Sequence, residues 1–318
     1  MDPPVTGEAA ASRELVWFIT GCSTGFGKLI TFEVLKRGDK VIATNRGDLS
    51  RLDDLKQAGA HVMECDVTAP HDTMKEVARI AEGVYGRIDV VVNNAGTAKL
   101  GTLEELGPDG LLDQFKINFF GTASVNSAFL PYMRQRRSGT IVVTGSRSGL
   151  RIAPLLGAYG TSKAATNAYG ETLAKEVAPF GIRVLTLIPG GFFTDGNTAS
   201  PTLDTHHIDD YQALHDRMNA IMKVFPGSQP NDPTKYAPLL VDVVRGEGVM
   251  RDETKGGELR PWPERLVIGS DAVLDARRMF SSWEKSIEEY GDLARFADGD
   301  PAGRKPLNFH WANDNSKS

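Results

Sequence analysis

Residues 15–36 read LVWFITGCSTGFGKLITFEVLK, and this stretch decides the fold. The apolar run 15–19 predicts a strand, and the segment 25–36 has the spacing of a helix. Three glycines lie in the turn between them, where the backbone can bend sharply and approach a ligand. Because N–H groups at a helix N-terminus attract phosphate, the stretch predicts a dinucleotide-binding turn. The glycines alone are also compatible with a plain strand-to-helix turn.

The alternation of strand and helix continues along the chain. Further strands are predicted at 40–44, 60–65, 88–92, 140–144, 183–188 and 265–268. Further helices are predicted at 50–57, 73–84, 119–136, 158–178, 233–245 and 271–290. Strands that alternate with helices form right-handed βαβ units and a parallel sheet covered on both faces. We therefore predict an α/β protein: a single-domain Rossmann fold with a doubly wound parallel sheet of about seven strands flanked by helices, plus a C-terminal extension.

One domain is expected over residues 14–292, after a flexible N-terminus at 1–13 and before a tail at 293–318. The helical and strand periodicities weaken between Pro189 and Asp232, and a loop of that length is typically a lid or a binding loop. We place a substrate loop at about 191–231. Its apolar members favour a fairly large, apolar substrate, or else form the core face of a short helix. These members are Phe192, Phe193, Ile208, Tyr211, Leu214, Met218, Ile221 and Met222.

Composition and charge exclude several classes of protein. The net charge of −5 disfavours a nucleic-acid partner. The apolar runs are strand-sized and much shorter than the roughly 20 residues of a membrane helix. Without a visible secretory signal, the cytoplasm is expected, with Cys22 and Cys65 buried and reduced. His206 and His207 are interpreted as loop residues, with no metal bound, because no third ligand at suitable spacing is evident.

The end of the second strand bears on the choice of nicotinamide cofactor. An acidic residue about 20 positions after the glycine turn would hold the 2′-hydroxyl of NAD. Here the chain reads Asn45-Arg46. Because no carboxylate repels a 2′-phosphate and a guanidinium can bind it, NADP(H) is favoured over NAD(H).

A candidate acid/base lies at the start of a predicted helix. Tyr159 and Lys163 are four residues apart, so their side chains share one helix face. A neighbouring ammonium favours the phenolate and would lower the tyrosine pKa toward neutrality. Ser146 follows a predicted strand at the carboxyl edge of the sheet, where its hydroxyl could bind a reacting carbonyl.

These motifs together resemble the short-chain dehydrogenase/reductase family. The matches are Thr-Gly-x-x-x-Gly-x-Gly at 20–27, Asn-Asn-Ala-Gly at 93–96, Tyr-x-x-x-Lys at 159–163 and Pro-Gly at 189–190. The opening 19–27 and the later 263–271 resemble a retinol- and hydroxysteroid-dehydrogenase-like branch. One departure is Gly145, which stands where the family usually has a structural serine, and we expect no effect on the chemistry.

The resemblance implies a role for each site residue. The catalytic set is Asn118, Ser146, Tyr159 and Lys163, with Tyr159 as the acid/base. Asn118 corresponds to an asparagine whose helix distortion seats a proton-relay water. The implied cofactor-binding positions are Gly21, Ser23, Thr24, Gly25, Phe26, Gly27, Asn45, Arg46, Asp66, Val67, Asn94, Ala95, Gly96, Tyr159, Lys163, Pro189, Gly190, Phe192 and Thr194.

The implied function is hydride transfer between NADP(H) and a small-molecule carbonyl or alcohol. Two other functions stay possible on this fold: an NADP(H)-binding redox sensor, and a non-redox biosynthetic enzyme. The predicted helices at 119–136 and 158–178 resemble those by which family members dimerise, so a homodimer or homotetramer is expected.

Overall fold

The computed structural model describes residues 13–151, 153–192, 206–224, 227–296 and 298. Nine strands lie within these residues. They are β1 (Val16–Ile19), β2 (Lys40–Asn45), β3 (His61–Glu64), β4 (Val90–Asn93), β5 (Gly139–Thr144), β6 (Ile182–Pro189), β7 (Arg251–Asp252), β8 (Glu258–Leu259) and β9 (Arg265–Ile268). Seven of them form one parallel sheet in the order β3-β2-β1-β4-β5-β6-β9, and β7 pairs with β8 in a small antiparallel hairpin.

Helices cover both faces of the sheet. In the described ranges they are α1 (Gly25–Lys36), α2 (Asp53–Gln57), α3 (His71–Tyr85), α4 (Leu103–Phe115), α5 (Thr122–Arg136), α6 (Gly157–Val177), α7 (Gln212–Val224), α8 (Pro233–Arg245) and α9 (Ser270–Arg295). A π-helical segment, Lys116–Gly121, joins α4 to α5. None of the helices in this part of the chain combines the length and hydrophobicity needed to cross a membrane.

The core lies in two layers, one on each face of the sheet. In β1, Trp17 and Ile19 pack with α1, α2 and α8, whereas Val16 and Phe18 pack with α3, α5 and α6. Side chains alternate between faces along a strand, and both faces here are covered. This explains why β1 is an uninterrupted apolar run with every residue buried.

The strand order sets the position of a ligand site. The chain runs from β1 to β2 and β3 on one side of β1, and then crosses to β4, which pairs with the other side of β1. Ligands of doubly wound sheets bind at the carboxyl edge where the strand order reverses in this way. The turn that follows β1 and the residues after β4 therefore meet at the expected site.

The predicted fold is confirmed. All seven predicted strands are present in one sheet, and the helices predicted at 25–36 and 233–245 begin and end at those residues. The helix α4 was not predicted, because Gly107 has a φ of +57° and Pro108 follows it, which interrupts the helical pattern. Within the expected substrate loop, α7 forms the short helix that the sequence analysis left open as an alternative, and its apolar residues recur at helical spacing.

The described chain up to Ala276 forms one compact unit, and a second unit begins at Arg277, inside α9. The sequence places the end of the domain at residue 292 instead. The domain boundaries at 14 and 292 stay predictions.

Candidate active site

The turn between β1 and α1 excludes side chains at two of its glycines. Gly21 has a φ of +71°, and a Cβ there would lie 2.9 Å from the Cα of Ala95. A Cβ at Gly27 would overlap the carbonyl oxygen of Gly21. Thr24, the N-cap of α1, makes no side-chain capping bond. The first N–H groups of α1 can therefore bind an anion.

Thr20 fastens this turn to the end of β4. Its Oγ1 accepts hydrogen bonds from the backbone N–H groups of Asn94 and Ala95, both at 3.0 Å. In return, the Asn94 side-chain amide donates to the carbonyl oxygens of Thr20 and Gly21 at 2.9 and 3.1 Å. These bonds hold the two halves of the sheet together at the point where the strand order reverses.

The end of β2 presents the residues expected at the ribose of the adenosine. The Asn45 amide is buried and donates to the carbonyl oxygens of Arg46 and Asp48, at 3.0 and 3.2 Å. Arg46 itself is exposed. Beside them, Asp66 accepts from the backbone N–H and the hydroxyl of Thr68, at 2.9 and 2.7 Å.

A cleft of about 330 Å³ extends from the glycine turn to these residues. Its lining includes the predicted cofactor positions Gly21, Ser23, Thr24, Gly25, Phe26, Asn45, Arg46, Asp66, Val67, Asn94, Ala95 and Gly96. A turn that excludes Cβ atoms, a helix N-terminus without a side-chain cap and a guanidinium at the far end fit the phosphates and ribose of a dinucleotide.

Ser146 and Tyr159 come together beyond the end of β5. The Ser146 Oγ accepts from the backbone N–H of Ser148 at 3.0 Å, and the Ser146 side chain is close enough to the Tyr159 phenol to affect its pKa. Burial raises the pKa of Tyr159, and the Ser146 hydroxyl lowers it only in part. The phenol is therefore protonated at neutral pH in this structure.

Lys163 lies one helical turn after Tyr159 and is buried. Its Nζ donates to the carbonyl oxygen of Thr144 at 2.7 Å, and burial lowers its pKa to about 8. The sequence predicted that Lys163 would lower the tyrosine pKa, but the shift of the Tyr159 pKa has burial and Ser146 as its causes.

Asn118 lies in the π-helical segment, where the sequence predicted a distorted helix. Its amide donates to the Thr97 carbonyl and the Ser162 hydroxyl, both at 3.0 Å, and its Oδ1 accepts from the Thr97 N–H at 3.0 Å. The Asn118 carbonyl accepts from the hydroxyls of Thr122 and Thr166, at 3.0 and 3.2 Å. The side chain thus ties the end of β4 to α6.

Gly96 is the point where the lysine and the asparagine converge. A Cβ at Gly96 would lie 3.2 Å from Oδ1 of Asn118 and 3.5 Å from Nζ of Lys163. The structure therefore brings all four predicted catalytic residues to the carboxyl edge of the sheet, next to the cleft.

The residues after β6 are only partly described. Pro189 ends the strand, and the N–H of Gly190 donates to the Ile268 carbonyl at 2.8 Å. Phe192 is buried, with its ring 5.2 Å from that of Phe26 and 5.6 Å from that of Tyr236. Its ring therefore packs in the core, and it also lines a small cavity with Asn231 and Tyr236. Phe193 and Thr194 lie outside the described residues.

The other apolar members of the substrate loop divide by exposure. Tyr211, Leu214, Met218 and Met222 are half-buried, and Ile221 is exposed. Leu214, Met218 and Met222 share one face of α7, as the short-helix alternative required, and Tyr211 immediately precedes this helix. That face stays partly open, so it can still meet a substrate.

The interpretation of His207 needs a correction. No third residue that can bind a metal lies near His207 in the sequence. In the fold, however, Glu105 and His215 both approach it. His206 is exposed and is not part of this group.

Sequence reasoning missed several residues that hold the site. The sequence motif includes Thr20 but does not reveal that its hydroxyl joins β1 to β4. Thr97 acts through its backbone, which carries no sequence signal. Asn167 fills the space that a side chain at position 145 would need, because a Cβ at Gly145 would overlap its Oδ1. Its position four residues after Lys163, on the same face of α6, was the available signal.

Comparison with known proteins gives consistent matches. Residues 15–203 match the model of the short chain dehydrogenase family. Oxidoreductase BOA17 of Botryotinia fuckeliana (strain B05.10) is 34% identical over 282 residues, which cover 88% of this chain and 97% of that protein. Human 17-beta-hydroxysteroid dehydrogenase type 1 is 35% identical over 246 residues, or 72% of this chain and 74% of that protein. A solved short-chain dehydrogenase from Streptomyces avermitilis matches with a TM-score of 0.77 and 34% identity, covering 90% of this chain and all (100%) of that one.

Proposed function

Because this chain belongs to the short-chain dehydrogenase family of NAD(P)(H)-binding oxidoreductases, we propose that it is an NADP(H)-dependent enzyme with Tyr159 as its acid/base. It reduces a ketone or an aldehyde of a fairly large apolar substrate, or oxidises the matching secondary alcohol. The family resemblance predicted from the sequence, including its hydroxysteroid-dehydrogenase-like branch, is confirmed by these matches.

The observation that carries the proposal is the convergence of the four predicted catalytic residues at the carboxyl edge of the sheet. The Ser146 hydroxyl acts on the Tyr159 phenol, and the two hydroxyls can together bind the oxygen of a substrate. Lys163 and Asn118 are buried and both approach Gly96, which lines the glycine cleft. A protein that only bound the cofactor would not need this arrangement.

Each catalytic residue has a distinct task in this proposal. Ser146 binds the substrate oxygen and orients it. Tyr159 gives its phenolic proton to that oxygen during reduction, and the raised pKa keeps this proton in place at neutral pH. Lys163 would hold the nicotinamide ribose, and Asn118 fixes the backbone around it. When bound, the nicotinamide supplies or accepts the hydride.

The preference for NADP(H) rests on Asn45 and Arg46. Both line the cleft, Asn45 is uncharged, and its amide fixes the backbone that carries Arg46. An exposed guanidinium at this position can bind a 2′-phosphate, and no carboxylate stands at position 45 or 46 to repel it.

The apolar substrate class is supported by α7 and by the relatives. Leu214, Met218 and Met222 form a half-buried apolar face of α7, which lies within the expected substrate loop. One relative is named for its action on a hydroxysteroid, which is a bulky apolar alcohol.

A cofactor assay separates this proposal from the sensor and the non-redox enzyme. The oxidation of NADPH and of NADH is followed by absorbance against bulky ketones, aldehydes and quinones, and the reverse reaction against the matching alcohols. We expect turnover with NADPH in preference to NADH. Tight NADPH binding with no change of its redox state across both panels would contradict the proposal.

A further inference from the structure

A second cluster of chemically active side chains lies where α7 meets the start of α4. Glu105 is in the first turn of α4, His215 is in the first turn of α7, and His207 precedes α7 by five residues. One ligand atom from each of the three lies within 4.8 Å of the others. The side chains of Glu105 and His215 are 2% and 9% exposed, whereas that of His207 is 44% exposed.

The three side chains already point at one another. Nε2 of His215 lies 2.8 and 3.0 Å from the two carboxylate oxygens of Glu105. Nδ1 of His207 lies 3.9 Å from Oε1 of Glu105, and the two imidazole rings are 5.1 Å apart. On the other side of the His207 ring, Nε2 faces a carboxylate oxygen of Asp209 at 3.5 Å.

We propose that Glu105, His207 and His215 bind a divalent transition-metal ion of the Zn²⁺ type. Two imidazoles and one carboxylate are a ligand set that Zn²⁺ accepts, with a fourth position left for water. Imidazole ligands disfavour Mg²⁺ and Ca²⁺, which prefer oxygen. Metal-bound histidines are commonly oriented by a carboxylate at the second ring nitrogen, and Asp209 occupies this position for His207.

The environment of the carboxylate suits a cation. Oε1 of Glu105 accepts from the Ile208 N–H at 3.0 Å, and Oε2 accepts from the Thr102 hydroxyl at 2.7 Å, so the buried carboxylate is held in one orientation. A metal ion would lie between His215 and Glu105, and the exposed His207 would complete the site from the solvent side.

The position of the cluster gives the metal a structural consequence. Glu105 also forms the capping box of α4 with Thr102, and Gly101 bridges to Leu156, three residues before Tyr159. The N–H of Ile208 donates to Glu105, and the Tyr211 hydroxyl donates to Glu104. A bound ion would strengthen this attachment of residues 207–215 beside the chain that leads into the active site.

Titration of the full-length, chelator-treated protein with ZnCl2 in a calorimeter tests the proposal. We expect one Zn²⁺ per chain for the wild type. His207→Ala removes the one exposed ligand and leaves the hydrogen bonds between His215 and Glu105 in place, and it should weaken binding by more than the roughly 10- to 100-fold lost with an outer-shell partner. His206→Ala is the matched control, because this exposed neighbour lies outside the cluster, and it should bind as the wild type does.

Variants of the buried ligands can lose binding because they fail to fold, so metal binding is also measured by thermal unfolding and by Co²⁺ absorption. Zn²⁺ should raise the Tm of the wild type and of His206→Ala but not that of His207→Ala. Co²⁺ bound to the wild type should give tetrahedral visible absorption bands, which His215→Gln should abolish. Absence of Zn²⁺ binding by the wild type would overturn the proposal and leave the cluster as a hydrogen-bonded contact. Binding to His207→Ala within tenfold of the wild type, or equal weakening in His206→Ala, would overturn it as well.

Discussion

Tyr159 and Lys163 share one face of α6, yet burial acts on them in opposite directions. It raises the pKa of the tyrosine, which is neutral when protonated, and lowers the pKa of the lysine, which is charged when protonated. Both residues therefore move toward their neutral forms. A phenol kept protonated is suited to give a proton to a carbonyl oxygen.

The buried lysine makes stability depend on pH. Its pKa is about 8 in the folded chain and 10.5 when unperturbed, so between these values the unfolded chain holds a proton that the folded chain has lost. Raising the pH from 8 to 10.5 should stabilise the wild type relative to Lys163→Met, by up to about 3 kcal/mol. Urea unfolding of both proteins across this range measures the difference. A constant difference would show that Lys163 is not desolvated in the folded chain.

Arg46 should decide the choice of cofactor. Hydrogen bonds to charged groups contribute about 1.5–3 kcal/mol, so Arg46→Gln should lower the ratio of kcat/KM for NADPH over NADH by roughly 10- to 100-fold. Arg51→Gln, which changes an exposed arginine five residues further along, should leave the ratio unchanged. An unaltered ratio in Arg46→Gln would place the discrimination elsewhere.

At the scale of elements, Thr20 joins β1 to β4 through its hydroxyl. Thr20→Val keeps the shape but leaves the N–H groups of Asn94 and Ala95 without their acceptor, at a cost of roughly 1–3 kcal/mol for each unsatisfied group. We expect a lower free energy of unfolding and weaker NADPH binding. Thr20→Ser retains the hydroxyl and should restore most of both. Equal losses in the two variants would contradict the assignment of the effect to the hydroxyl.

The sequence predicted those elements whose periodicity is local. α1 and α8 have clean helical spacing with boundaries that match, while Gly107 and Pro108 concealed α4. The glycine turn and the Tyr159–Lys163 pair were found because the residues within each motif lie only a few positions apart. The contact of Glu105 with His215 spans 110 positions, so only the fold reveals it.

At the scale of the whole molecule, the sequence predicts a homodimer or homotetramer. Phe120, in the predicted interface helix 119–136, is 53% exposed, and its burial against a second copy would stabilise the association. Phe120→Asp should shift the molar mass measured by light scattering toward the monomer. Ile80→Asp, on α3 and 44% exposed, is the matched control and should leave the mass unchanged. A monomeric wild type would contradict the prediction.

The most direct test of the whole account is the turnover of the Tyr159→Phe enzyme with NADPH and the best carbonyl substrate of the assay panel. General acid–base catalysis contributes roughly 10²- to 10⁴-fold, so kcat should fall by that factor while the Kd for NADPH stays near the wild-type value. Such a result would identify the phenolic hydroxyl as the proton donor. A Tyr159→Phe enzyme with wild-type kcat would contradict the assignment of Tyr159 as the acid/base.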